Sequence, residues 1–225
     1  VAKNTGNAIF IRRGHRNKEG KVGTLKGVYI AHVKAETPLY KPDQGYPIEG
    51  PPDHLRPGED KMPKRPSHFH IYGHPFLPYN LIPSSITGIP GYPVQEVTIE
   101  NIDISYGGSA SKNIACIPLK EISSVPENEA NYPEFSMFGE LPAWGLYVRH
   151  AEGLTLKNVT VQYLKDDFRP AFVFDDVKRL ELSDIMIPTA KEMPVVMLNN
   201  TPELTMKNIK MPVDEEKGIL KTGYK

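Results

Sequence analysis

Three stretches in the second half of the chain carry the same order of apolar and polar positions and align without gaps. They are GLYVRHAEGLTLKNVTV at 145–161, AFVFDDVKRLELSDIMI at 171–187 and VVMLNNTPELTMKNIKM at 195–211. Each reads as a strand, a short polar break and a second strand. Leu154, Leu180 and Leu204 mark the second strand and lie 26 and 24 residues apart, and Leu146, Phe172 and Val196 mark the first with the same two spacings. Two more copies of the second strand stand upstream, Val97–Ile104 and Val28–Ala35, so five units are visible.

Four places after the marker the residue is Asn101, Asn158, Asp184 or Asn208, with His32 in the earliest copy. Asn and Asp accept left-handed backbone angles more readily than most residues, which predicts a turn between two short strands at this point. If successive units stack, equivalent side chains recur about 4.8 Å apart and can hydrogen-bond as a ladder. A period in the mid-twenties with short strands predicts an all-β solenoid whose rungs pair in parallel around an apolar interior. An antiparallel sandwich is the alternative, because short strands alone do not fix parallel pairing.

The repeat is read as a single domain, 1–225, with irregular insertions at 36–66 and 107–144. The first holds eight prolines and cannot be regular strand. The second contains Pro118, Pro126, Pro133 and Pro142 with Tyr132, Phe135, Phe138 and Trp144, and its aromatic content predicts an ordered loop.

Composition narrows the partners. Lys+Arg and Asp+Glu both number 27, so no global field draws the chain to nucleic acid or an anionic membrane. No apolar run approaches the roughly 18 to 20 residues of a membrane-spanning helix, and no membrane insertion is expected. Cys116 is the single cysteine, which excludes an intrachain disulfide framework. The 22 prolines and 18 glycines, with no apolar period of 3.6, argue against a helical protein. Val1 to Gly6 has no signal-peptide character, so an exported form would already be trimmed.

Several phrases resemble a known family. They are GNAIFIR at 6–12, GVYIAHV at 27–33, PSSITGIPG at 83–91 running into VTIENI at 97–102, YPEFSMFGELPAWGLYVRH at 132–150 and RPAFVFDDV at 169–177. Together they resemble the C-terminal half of the polygalacturonase-like glycoside hydrolases of family 28, in the form common among gut Bacteroides-type bacteria. The resemblance implies a right-handed, single-stranded parallel β-helix of the pectin-lyase-like kind. It also implies a secreted or periplasmic enzyme that hydrolyses galacturonic-acid-containing pectic polysaccharide with inversion, without metal or other cofactor.

The family's catalytic motifs are Asn-x-Asp, Asp-Asp about one coil later, Gly-His-Gly about one coil further, and a basic Arg-Ile-Lys strand. Inversion needs a carboxylic acid and a carboxylate base roughly 6.5–9.5 Å apart, with water between them. Asn101-Ile-Asp103 matches the first motif, but Asn101 is a ladder residue and no Asp-Asp follows one coil on. Asp166-Asp167 and Asp175-Asp176 are read as solvated turn carboxylates. No Gly-His-Gly occurs. The strand Ile9–Arg12 can be laid on the basic strand with Arg12 at the lysine and Phe10, a departure, at the arginine, so half of the basic pair is kept; the match implies that the catalytic coils precede this chain.

The substrate-binding candidates are therefore peripheral. Arg12, Arg13, His15, Arg16 and Lys18 form the densest basic cluster, and guanidinium groups bind carboxylates through paired hydrogen bonds; a solvated loop is the alternative. Arg149 and His150 end a strand beside Trp144, where a sugar ring could stack on the indole and a carboxylate meet Arg149; an indole packed over the edge of the solenoid is the preferred reading of Trp144. His68, His70 and His74 have a superficial metal spacing without a supporting acid or cysteine, so no metal site is predicted. A solenoid cut across its rungs also exposes an unpaired edge, which predicts self-association through the N-terminal rung or a segment that covers it.

Overall fold

The computed structural model describes residues 1–3, 5–17, 19–37, 82–110, 117 and 119–223. Within them the chain is mostly strand. The elements are β1 (Ala2–Lys3), β2 (Phe10–Arg12), β3 (Lys26–Glu36), β4 (Ser84–Thr87), β5 (Val94–Gly108), β6 (Leu146–Lys165), β7 (Phe172–Met186), β8 (Val196–Asn199), β9 (Leu204–Lys210) and β10 (Ile219–Thr222). A 3-10 helix, Leu119–Ser124, and one turn of α-helix, α1 (Glu215–Gly218), are the described helical segments. All ten strands join one sheet, and every strand-to-strand pairing is parallel.

The register follows the repeat. Val28, Val97, Leu154, Leu180 and Leu204 are consecutive partners across β3, β5, β6, β7 and β9. Leu146, Phe172 and Val196 form the equivalent row of first strands.

The long strands bend because single residues adopt left-handed angles at fixed places. His32, Asn101, Asn158, Asp184 and Asn208 all have φ between 54 and 59°, apart from Asn158 at 51°. These are the predicted corner residues, and Asn158 Nδ2 donates to Asn101 Oδ1 (2.8 Å) while Asn208 Nδ2 donates to Asp184 Oδ1 (2.6 Å). Five residues before them comes another row at positive φ: Gly27, Glu96, Gly153, Arg179 and Glu203. A third row, three residues earlier again, comprises His150, Asp176 and Asn200.

The second row carries charge as well as curvature. Arg179 reaches Glu96 at 2.8 Å, two strands away. Gly153 lies between them, and a Cβ there would meet the Glu96 carboxylate at 3.0 Å. Glycine thus serves both the angle (φ +75°) and the crossing of the ion pair.

Between corners, side chains alternate, and the apolar set points to one interior. Val97, Leu154 and Leu180 share a buried cluster with Ile102, Val159 and Ile185 from beyond one corner and Ile86, Val148, Phe174 and Leu198 from beyond another. Burial of this set is the main stabilising term, since no disulfide joins the strands. On its outer side β3 is paired by β1 alone, at Ala35 and Glu36, among the described residues.

The described part of the second insertion is ordered, as its aromatic content predicts. It folds back across the outward face of β6, β7 and β8. Ile122, Val125, Met137, Phe138 and Leu141 bury Tyr147, Val173 and Met197 in a second cluster, with Phe10 packed against it. Most of the insertion predicted at 36–66 lies outside the described residues, as do Lys18, Cys116, His68, His70 and His74.

Candidate functional site

Parallel register builds one polar row on the outward face of the sheet. Arg12, Thr87, Arg149, Asp175, Asn199 and Thr222 are successive partners across β2, β4, β6, β7, β8 and β10. One residue further on, His150, Asp176 and Asn200 form the corner row.

Arg149 is the hub. Its Nη1 donates to the Val125 carbonyl (2.8 Å), its Nη2 lies 3.1 Å from Glu127 Oε1, and its Nε lies 3.1 Å from Asp175 Oδ2. Asp175 is fixed from the next strand, where Asn199 Nδ2 donates to its Oδ1 (2.8 Å) and Thr222 Oγ1 donates to Asn199 Oδ1 (2.8 Å). Burial raises the Asp175 carboxyl above its ordinary pKa, outweighing the Asn199 hydrogen bond and the charges of Arg149 and His150.

His150 sits between two carboxylates. Nδ1 is 2.6 Å from Asp176 Oδ2 and Nε2 is 3.2 Å from Glu127 Oε1, while Asn200 Nδ2 holds the other Asp176 oxygen at 2.8 Å. Burial alone would lower the imidazole pKa. The hydrogen bonds and negative charge of Glu127 and Asp176 prevail, and it is raised.

The basic cluster predicted at the N-terminal end does not form one open site. Arg12 Nη1 donates to the Asn131 carbonyl (3.3 Å) and Nη2 to that of Asn128, so this side chain staples the loop over the sheet. Burial and neighbouring Arg16 lower its pKa. Arg13 is buried, donates to the Pro93 carbonyl (2.7 Å) and stacks on Tyr92, its guanidinium carbon 5.4 Å from the ring centroid. His15 turns inward, its Nε2 2.8 Å from the Gly20 carbonyl oxygen. Arg16 alone of these four is exposed, and its guanidinium carbon lies 4.9 Å over the ring of Tyr132.

Two expectations are corrected. Trp144 is 2% exposed and packs edge-on against Tyr106 and Tyr163 within the main core, so no sugar ring can stack on it. The Asp pairs are not uniformly solvated. Asp167 is fully buried and takes paired hydrogen bonds from Arg169 Nε (3.0 Å) and Nη2 (2.8 Å), while Arg169 Nη1 reaches the Leu141 carbonyl. Asp175 is buried too, leaving Asp166 and Asp176 as the exposed members. Asn101 and Asp103 keep structural roles, the first at its corner and the second in an ion pair with Lys34 (3.0 Å).

Sequence reasoning missed Glu127, Tyr92 and Tyr132 as partners of the residues it nominated. Only the alignment of His150, Asp176 and Asn200 in one column of the repeat carried a signal for their contact. Chemically the cluster is an electrostatic clamp. Glu127, Asp175 and Asp176 are each held by Arg149 or His150, and the imidazole bridges Glu127 and Asp176. Among the described residues no group of three or more His, Cys, Asp and Glu side chains is arranged to hold a metal ion. No described helix is long and apolar enough to cross a membrane. Comparison with known proteins gives no significant match to any family model, curated protein or solved structure.

Proposed function

We propose that this chain is a right-handed parallel β-helix that binds acidic, galacturonic-acid-containing polysaccharide, as part of a polygalacturonase-like glycosidase. Stacked parallel rungs bent at three rows of left-handed residues support the fold, and crossovers between parallel strands are overwhelmingly right-handed. The observation that carries the function is the exposed pairing of Arg16 with Tyr132, which is 52% exposed. A cation held over an aromatic face offers a uronate both a charge partner and a flat apolar surface.

Binding is favoured over hydrolysis within this chain, because its clustered carboxylates are already engaged. Secretion or a periplasmic location follows from the same reading, since pectic polymers are extracellular. The outer side of β3, paired among the described residues only by β1, would then be covered by another coil or by a second copy.

Calorimetric titration with oligogalacturonides tests the reading. Arg16→Ala and Tyr132→Ala should each weaken binding about two- to fivefold, as expected for a surface cation–aromatic site worth about 0.5–1 kcal/mol. Absence of any binding by the unaltered chain would refute it, and release of new reducing ends from polygalacturonate would return the catalytic reading to first place.

A further inference from the structure

The outward faces of β2, β4 and β6 hold polar atoms that the chain does not use. Ser85 Oγ, Thr87 Oγ1, the Tyr147 hydroxyl and Nε of Arg12 are all buried without a hydrogen-bond partner. Ser85 is in register with Tyr147, and Thr87 stands between Arg12 and Arg149. Native interiors seldom leave such groups unpaired, and a cluster of them marks a face built for something besides packing.

At Arg12 and Arg149, on either side of Thr87, this face is bridged by a strap of different character from the rest of the insertion, while Tyr147 lies under the second apolar cluster. No residue from Pro126 to Phe135 is buried, whereas Val125 on one side and Met137 on the other anchor in the second apolar cluster. The strap is tied down by polar contacts: Arg12 to the carbonyls of Asn128 and Asn131, the His15 amide to the Glu129 carbonyl, and Glu127 to Arg149 and His150. Glu127 therefore presents one carboxylate oxygen to a guanidinium and an imidazole together, 3.1 and 3.2 Å away.

Both partners are aimed independently of Glu127. Asp175 forms an ion pair with Arg149 Nε without a hydrogen bond to it, and Asp176 faces His150 Nδ1, each acid being held in turn by an asparagine at the end of the next strand. If Glu127 left, Arg149 Nη2 and His150 Nε2 would keep their directions. Pre-aimed donors of this kind bind a ligand without the entropy loss of ordering flexible side chains.

We propose that Arg149 and His150 form a carboxylate site for an acidic sugar, that Glu127 occupies it as an intramolecular stand-in, and that the strap 126–135 is the lid a uronate displaces. The inference rests on the acidic-polysaccharide reading and adds a second, covered site to the exposed one. With the strap lifted, the uronate carboxylate meets Arg149 and His150. The hydroxyl of Thr87, in register between Arg12 and Arg149, is then available to a sugar hydroxyl, while Tyr147 stays under the second apolar cluster.

The test uses D-galacturonic acid, with neutral D-galactose as control. Glu127→Gln and Glu127→Ala should bind galacturonic acid at least tenfold more tightly than the unaltered chain, galactose should show no gain, and adding Arg149→Gln should abolish the gain. Folded variants with no gain overturn the proposal. Should a variant fail to fold, amide exchange in the unaltered chain decides: galacturonic acid at its highest soluble concentration should speed exchange across 127–131, and unchanged exchange overturns the proposal. A gain in the Glu127 variants without oligogalacturonide binding at Arg16 would sink the exposed site alone. Binding at Arg16 without that gain would sink the covered site alone.

Discussion

Asn158 offers a clean test of how the corners work, because its side chain is exposed and any effect of changing it comes from the backbone and one hydrogen bond. Its φ is +51°, and its Nδ2 donates to Asn101 Oδ1 at 2.8 Å. Asn158→Gly keeps the backbone angle accessible and loses the hydrogen bond, a net loss of about 1 kcal/mol. Asn158→Ala loses the same bond and also forces a Cβ into the left-handed region, a further penalty of about 1–2 kcal/mol. Alanine should thus be less stable than glycine by about 1 kcal/mol, after allowing for the greater freedom of an unfolded glycine. That order is the reverse of the one within a strand, where Ala exceeds Gly by about 0.5–1 kcal/mol. In urea unfolding with a slope of about 2.5 kcal/mol/M, the two midpoints should differ by about 0.4 M at unchanged slope. The paired variants Thr155→Ala and Thr155→Gly, at a strand position, should show the ordinary order. Equal midpoints for the two Asn158 variants, or a higher one for alanine, would refute a left-handed corner.

Leu180, fully buried between Leu154 and Leu204 in its row, should cost about 2–5 kcal/mol on replacement by alanine, read as a fall in the urea midpoint. Because the folded pKa of His150 is raised, its stabilising contribution is fully present below the unfolded value near 6.5 and is lost as pH rises through the folded one. His150→Gln should remove that loss from a pH series of urea midpoints while Arg149, Glu127, Asp175 and Asp176 remain; an unchanged series would contradict it. The outer side of β3, sparsely paired among the described residues, predicts a light-scattering mass that rises with concentration above the 25.2 kDa of one chain, and a constant monomer mass would count against self-association there.

The spacing of Leu154, Leu180 and Leu204 made the parallel register legible, because each repeat must return an apolar strand to one buried cluster and bend at a residue that accepts positive φ. The row containing Asn158 was legible for the same reason. The other two rows mix residues that favour positive φ, such as Gly153, Asp176 and Asn200, with Arg179 and Glu203, which do not, so no single residue type marked them. Alignment of the three repeats would have placed them in columns. Trp144 and Arg149 were misjudged or half-judged because their surroundings depend on how a distant insertion folds back over the sheet. Asp167 was misread for a similar reason: its burial depends on Arg169 and on the Ala110 amide, which donates to it from 57 residues away. Local turn preference carries no information about such contacts.

Methyl nuclear Overhauser spectra of leucine-labelled protein test the stacking of successive windings most directly. Leu154 and Leu180 should give a strong cross-peak, as should Leu180 and Leu204, each pair being neighbours about 4.8 Å apart along the stack. Leu154 and Leu204, two spacings apart, should give a far weaker one or none. A missing Leu154–Leu180 cross-peak, or one between Leu154 and Leu204 of equal strength, would contradict parallel stacking of the rungs.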